Sequence, residues 1–341
     1  MLLFNTFLLA ILATTAESKI DTSCTAFQSR GLAKSIWQYY RFYDFRNIGR
    51  SGSYNEPTVD SKTARIVTDR SWTDDWYLRD YPRKSPAPPI IPVDFIPERV
   101  NITNSTDDSR DYSTFLTLSS ARIDDETQEG GEITFKEFNV TAASIRVYAR
   151  VHGIRGACAG IFTYLNDTQE SDIEIFTKDP QNIIHYSNQP ASTGEPDWTP
   201  IPGATVNRTM PDDTKWTDWH MHRLDWIPDR SVFFVNGHQI NTTTLHVPVA
   251  SPPSGIYIDM WGSNSSWVGE MPIGGEAWFD IQWIELLFNA STPSPRAKDR
   301  EQKLCTPDSD MEVSLGVGLA SMKDSWMLTL FSFILTVFIW Y

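Results

Sequence analysis

The sequence predicts an all-β chain, a two-sheet antiparallel β-sandwich, and three observations carry that expectation. Short runs of alternating apolar and polar residues recur through the middle of the chain, with turn signals between them. No helical period of useful length competes with them outside the two ends. Aromatic content is the third: 13 Trp, 12 Tyr and 18 Phe make up 13% of 341 residues. So many flat apolar side chains suit a thick sandwich core, or a surface on which sugar rings stack.

Taken in order, the runs read as strands. TFLTLSSARI is the first clear one. In SIRVYARVH, Ile145, Val147, Ala149 and Val151 alternate with Arg146, Tyr148, Arg150 and His152. CAGIFTYL and DIEIFT follow. In VFFVNGHQI, Asn236-Gly237 separates two short runs, the strongest local hairpin signal. GIYIDMW and WFDIQWIELLF complete the set. About ten short strands with turns between them imply the sandwich. Residues 82–97 (PRKSPAPPIIPVDFIP) hold six Pro and read as a surface loop.

Composition excludes several classes. With 40% hydrophobic and 21% charged residues the chain can bury a core, so global disorder is excluded. Lys+Arg number 29 against 43 Asp+Glu, a net charge of −14, the wrong sign for a phosphate-backbone binder. Nucleic acid is therefore not an expected partner. Three Cys form no close pair of ligands, which argues against a Cys-based zinc site.

Both ends read as processing signals. Leu2 to Ala13 is almost uninterruptedly apolar and is followed by Thr14, Thr15 and Ala16, a signal peptide over residues 1–16 that lacks the usual basic start. The other end, WMLTLFSFILTVFIWY over 326–341, is short for a bilayer span, which needs about 20 apolar residues. No Lys or Arg follows it. Upstream lie small residues (Ser314, Gly316, Gly318, Ala320, Ser321) and then polar Lys323, Asp324 and Ser325, the order of a GPI-anchor signal. A lipid anchor is expected rather than a single-span helix, with a polar stalk and spacer over 291–325 and a folded domain over 23–290. Asn-x-Ser/Thr occurs at Asn101, Asn104, Asn139, Asn166, Asn207, Asn241, Asn264 and Asn289, which predicts a glycosylated, secreted protein.

The chemistry points to Glu170, Asp172 and Glu174. Side chains at i, i+2 and i+4 of a strand share one face, so three carboxylates project together while Ser171, Ile173 and Ile175 point into the core. Such crowding is unfavourable for folding, because like charges repel and raise at least one pKa. At roughly 3.3 Å per residue the glutamate Cα atoms lie about 13 Å apart. Side chains leaning together bring the carboxyls near the roughly 5–5.5 Å that double displacement at a sugar requires. From spacing alone, three acids on a solvated strand or a calcium site stand equally open.

The surrounding residues resemble glycoside hydrolase family 16, the concanavalin A-like jelly-roll glucanases. The family's Glu-x-Asp-x-Glu signature is matched by Glu170-Ser171-Asp172-Ile173-Glu174. Its later motifs are matched by Trp219-His220, Asp225-Trp226, Val235-Asn236-Gly237, Met260-Trp261-Gly262, Trp267-Val268-Gly269 and Ile281-Gln282-Trp283-Ile284-Glu285. YDFRNI, GACAGIFTYLND, HYSNQP and QWIELLFN look like a fungal secreted branch, and the resemblance spans roughly residues 40–290. Ser171 and Asn236 depart from the pattern, at positions usually aliphatic and Asp.

The resemblance implies Glu170 as nucleophile, Asp172 as its partner and Glu174 as general acid/base. Trp198, Trp216, Trp219, Trp261 and Trp267 are candidates to stack sugars, each also suited to a core. His185, His220 and His222 suit structural or subsite roles. His220-x-His222 puts two rings on one face, but no third metal ligand is apparent, so no metal and no cofactor are expected. Cys24 and Cys305 flank the domain, and since the first and last strands of a jelly roll tend to be neighbours, they are expected to pair, with Cys24–Cys158 as the alternative. Cys158 in GACAGIF is expected to be free and buried.

The sequence therefore reads as a monomeric, GPI-anchored retaining endo-glycosidase on β-linked glucan, β-1,3 or mixed β-1,3/1,4, at the outer face of the plasma membrane or in the cell wall. A wall-remodelling transglycosylase with the same three carboxylates, or a catalytically silent carbohydrate-binding relative, are the alternatives.

Overall fold

In the computed structural model the described residues are 24–29, 35–46, 48, 56–60, 65–70, 72–85, 89–107, 112–194, 198–291 and 303–306. The expected signal peptide and the hydrophobic tail at 326–341 lie outside them.

The chain is all-β, with short 3₁₀ turns as the only helical elements among the described residues. Two layers of antiparallel strands enclose one large core. The layer that carries the acidic motif, here the cleft sheet, runs from Thr205–Thr209 through Ile183–Asn188, Gln169–Phe176, Cys158–Asn166, Gly255–Trp261 and Gln128–Phe135 to Trp76–Leu78. The outer sheet runs from His238–Thr243 through Arg230–Val235, His220–Ile227 and Val140–Gly153 to the long strand Glu276–Ala290. That last strand shares its far edge between Thr114–Arg122 and Tyr39–Asp44. Gln128–Phe135 also pairs with Thr114–Arg122, so the ladder closes on itself instead of leaving two separate sheets.

Period-two patterning sets the layers. Ile145, Val147, Ala149 and Val151 are fully buried and meet Ile161, Ile173 and Ile258 from the cleft sheet in the core. Asn236 and Gly237 both take positive φ (49° and 80°) and turn Arg230–Val235 into His238–Thr243, the hairpin the sequence announced.

Two expectations need correction. Residues 82–97 are not all loop: Tyr81–Arg83 and Val93–Phe95 form an antiparallel pair, with Pro82 opposite Asp94. Proline is tolerated because Tyr81–Arg83 pairs on one side only, where its missing N–H breaks no ladder. The stretch 291–325 is not all stalk either. Leu304–Cys305 pairs in parallel with Ala26–Gln28, which pairs with Ile36–Trp37. This three-stranded sheet lies against the outer sheet, where Cys24, Phe27 and Trp37 pack with Tyr40, Ala142, Ile227 and Leu287. Arg146, at an outward position of its strand, is consequently buried, and Nη1 donates to Glu285 Oε2 at 2.8 Å. Cys24 and Cys305 are disulfide-bonded across this layer, and Cys158 is free and buried.

Candidate active site

Gln169–Phe176 lies between Cys158–Asn166 and Ile183–Asn188. Its core-facing side carries Ile173 and Ile175, and Ser171, whose hydroxyl donates to Ser231 Oγ at 3.0 Å. Glu170, Asp172 and Glu174 therefore share the opposite side and line one cleft of about 680 Å³.

Strand register decides what else enters that cleft. Asp172 stands level with Phe162 and, one strand further, Tyr257, and these two rings stack at 5.3 Å. Glu174 stands level with Gly160, then Asp259, then Glu132. A Cβ on Gly160 would collide with Asp259 Oδ1, so the missing side chain leaves the room into which that carboxyl reaches. Tyr81 Oη donates to Glu132 Oε2 at 3.0 Å, and Arg79 Nε lies 3.4 Å from Oε1. Arg83 lays its guanidinium over the Trp261 ring, 3.9 Å from the centroid.

Burial above all raises the proton affinity of these carboxyls. Burial pushes Glu170 up to about 8 and Glu174 up to about 7. Asp172 is raised well above the usual range by burial and then by Glu170 and Glu174. Glu170 and Asp172 also act on each other: their mutual interaction raises Asp172 further and draws Glu170 down against the effect of burial. Gln189 Nε2 adds a donor at 3.4 Å to Asp172 Oδ2. Glu174 Oε1 accepts from the Trp267 indole N–H at 3.1 Å and from the Cys158 thiol at 3.8 Å, and both contacts pull against the effect of burial. Asp259 and Glu132 are raised by burial as well, and Asp259 Oδ1 has no hydrogen-bond partner among the described residues. Five carboxyls of raised proton affinity thus line one cleft.

Of the expected sugar-stacking residues, Trp261 and Trp267 line the cleft. Trp267 is 41% exposed and packs on Phe176 and His185, whose Nε2 is 2.6 Å from Asp179 Oδ2; His185 buttresses Trp267 from outside the lining. Trp219 and His220 belong to the outer sheet and not to the cleft. Trp219 packs against Tyr148, Tyr112 and Phe115 and donates to Tyr112 Oη at 2.9 Å. His220 is buried, with Nδ1 2.8 Å from Asn236 Nδ2. The reason is placement: Trp219 immediately precedes, and His220 begins, the strand that pairs with Val140–Gly153 in the layer opposite the cleft. Trp198 is 57% exposed on the 189–204 connection and is not among the lining residues. Trp216 and His222 are core. No cluster of metal-ligating side chains is found among the described residues.

Sequence reasoning missed Asp259, Glu132, Arg79, Arg83, Tyr81 and Gln189. Asp259 carried a faint signal, as the one acid in the apolar run GIYIDMW.

No family model and no curated relative matches the chain. Among solved structures, a prokaryotic β-1,3-1,4-glucanase (lichenase) from a mouse hindgut metagenome is similar at 15% identity and a TM-score of 0.47, over 65% of this chain and 96% of that one. A β-glucanase of Bacillus licheniformis gives 16%, 0.47, 64% and 94%. The laminarinase from Rhodothermus marinus gives 12%, 0.46, 64% and 91%. These likenesses are partial, and the site is assigned from the side chains of this chain.

Proposed function

We propose that this protein is a retaining endo-glycosidase of the glycoside hydrolase family 16 type, acting on β-linked glucan with β-1,3 or mixed β-1,3/1,4 linkage. One observation carries the reading: Glu170, Asp172 and Glu174 converge in a cleft that also offers Trp261 and Trp267 to a sugar ring.

The roles are those that the resemblance of the Glu-x-Asp-x-Glu motif implies, and the contact with Asp172, which lowers the proton affinity of Glu170, supports Glu170 as the group that ionises to attack. In its ionised form Glu170, with Asp172 beside it on the same strand face, attacks the anomeric carbon. Glu174, in its protonated form, gives its proton to the departing glycosidic oxygen as the C–O bond breaks. A glycosyl ester on Glu170 results. Glu174, now a carboxylate, takes a proton from water as that water attacks the same carbon, and Glu170 leaves as carboxylate. Two inversions give net retention. Trp261 and Trp267 stack the sugar, and the neutral Asp259 carboxyl hydrogen-bonds a hydroxyl.

We also read the chain as secreted, lipid-anchored and glycosylated. In support, Asn101, Asn104, Asn139, Asn166 and Asn207 are exposed, while Asn241, Asn264 and Asn289 are half-buried. Release from membranes by phosphatidylinositol-specific phospholipase C tests the anchor; protein that resists release and retains residues 326–341 by mass contradicts it.

The reading as a whole is tested by product analysis on a panel of β-glucans, with and without acceptor oligosaccharides. Shorter β-glucan fragments are expected. Elongated products at the expense of hydrolysis assign the chain to the transglycosylases instead, and binding without any product assigns it to the silent relatives.

A further inference from the structure

Glu174 is held by two donors on one oxygen, and one of them is a cysteine. We propose that Cys158 is a positioning residue for Glu174: its thiol and the Trp267 indole together fix Oε1, leaving Oε2 to face the substrate. The inference rests on the glycosidase reading for its kinetic consequences, but not for the contact itself.

The geometry is specific. Cys158 and Gly160 lie on the cleft-facing side of one strand, and Gly160 stands level with Glu174. Gly160 has no side chain to come between, so the Cys158 thiol reaches past it to within 3.8 Å of Glu174 Oε1. Trp267 Nε1 reaches the same oxygen at 3.1 Å from the 262–275 connection. Cys158 is itself fully buried against Phe176 and Val268, with Trp261 over it. Burial raises its thiol, which stays protonated and acts as a donor and not as a nucleophile.

Groups from several elements bear on this pocket. Glu170 and Asp172 come from the same strand, His185 from the next strand and Asp259 from beyond Gly160. Arg83 and Lys178 contribute positive charge. None of these replaces a donor lost from Oε1. An S–H donor stabilises the carboxylate form, so its removal raises the proton affinity of Glu174. The alkaline limb of the pH–rate profile then moves to higher pH. The freed carboxyl also loses its aim, which costs more when the leaving group needs a proton than when it does not.

The S–H stretch provides a direct readout. With Cys24 and Cys305 in a disulfide, Cys158 holds the one thiol of the chain. In the wild-type protein its infrared band is expected to shift to lower frequency as Glu174 ionises, and in Glu174→Gln to be independent of pH. A wild-type band that does not move between pH 5 and pH 9 overturns the proposal, without any Cys158 variant having to fold. Kinetically, Cys158→Ala is expected to move the alkaline limb up by about half a pH unit. It should lower kcat severalfold on glucan and leave the first step with an activated aryl glycoside nearly unchanged. Cys158→Ser is expected to restore the wild-type limb. A folded Ala variant with the wild-type profile on both substrates contradicts the proposal, as does a Ser variant that behaves like Ala. If the wild type turns over no β-glycan, the glycosidase reading fails while the S–H titration still decides the contact.

Discussion

Glu170 and Glu174 differ in what surrounds them more than in where they sit. Glu170 has Asp172 beside it, which lowers its proton affinity, whereas Glu174 accepts from Trp267 and Cys158. Glu170→Gln keeps the shape and removes the nucleophile, so turnover should fall by several orders of magnitude in a protein with unchanged circular dichroism. Near-normal glucan cleavage by that variant contradicts the assignment. Glu174→Ala should spare the first step on activated aryl glycosides and be rescued by azide, whereas Glu170→Gln should not. The raised carboxyls also leave a mark on stability. Unfolded carboxyls ionise near about 4 to 4.5. Folded Glu174 and Glu170 keep protons up to about 7 and about 8. Over that window the folded state binds more protons, so the stability they contribute is full below the unfolded pKa and is lost as pH rises through the folded ones. Thermal midpoints are expected to fall from pH 5 to pH 8, and Asp259→Asn, which cannot ionise, to flatten the decline. An identical slope in wild type and variant contradicts this account of Asp259. The three clustered carboxylates were legible because a period-two motif keeps them in one line of sequence. Asp259 and Glu132 were not, because register alone brings them level with Glu174 from strands far along the chain.

Among the elements, patterning revealed strands with one clean apolar face and missed those without it. Gln128–Phe135 reads QEGGEITF, two glycines in place of alternation, yet it joins both layers and carries Glu132. Its glycines serve close approach: a Cβ at Gly130 would stand 2.9 Å from the Met260 carbonyl oxygen, and one at Gly131 would run into the Arg99 backbone, 3.0 Å from the carbonyl carbon. Gly160 differs, because the atom it would strike ends a side chain that can move. Gly160→Ala is therefore expected to cost about 1–3 kcal/mol of stability at most and to lower kcat/KM on glucan about tenfold or more by displacing Asp259. Gly131→Ala meets backbone and should destabilise more than Gly160→Ala. Chemical denaturation of the two variants beside glucan kinetics checks the order; the reverse order contradicts the cleft described for Gly160. The Pro-rich stretch was misread for a related reason, since an edge pairing tolerates a proline that a central strand does not.

At the scale of the whole molecule, the sandwich and the Cys24–Cys305 bond were legible from strand runs and from cysteines at the two ends. The third layer was not. Its strands are two or three residues long and join segments on either side of the domain, which no local pattern announces. It buries Arg146 with Glu285 and brings residues 303–306 onto the fold. The bond closes a separation of 281 residues, for which chain entropy gives about 5 kcal/mol as a guide. Cys305→Ser should lower the thermal midpoint and expose the small sheet to proteolysis while glucan kinetics at lower temperature stay near wild type. A variant that loses kcat in proportion to stability contradicts the separation of staple from site.

Covalent trapping tests the central claim most directly, that Glu170 forms a glycosyl ester during a retaining reaction. A 2-deoxy-2-fluoro β-glucan oligosaccharide with an activated leaving group slows the second step, and peptide mass analysis locates the sugar. The expected result is an adduct on Glu170, none in Glu170→Gln, and β-configured product at early times from unmodified substrate. An adduct on Glu174, or inverted product with no adduct at all, contradicts the account.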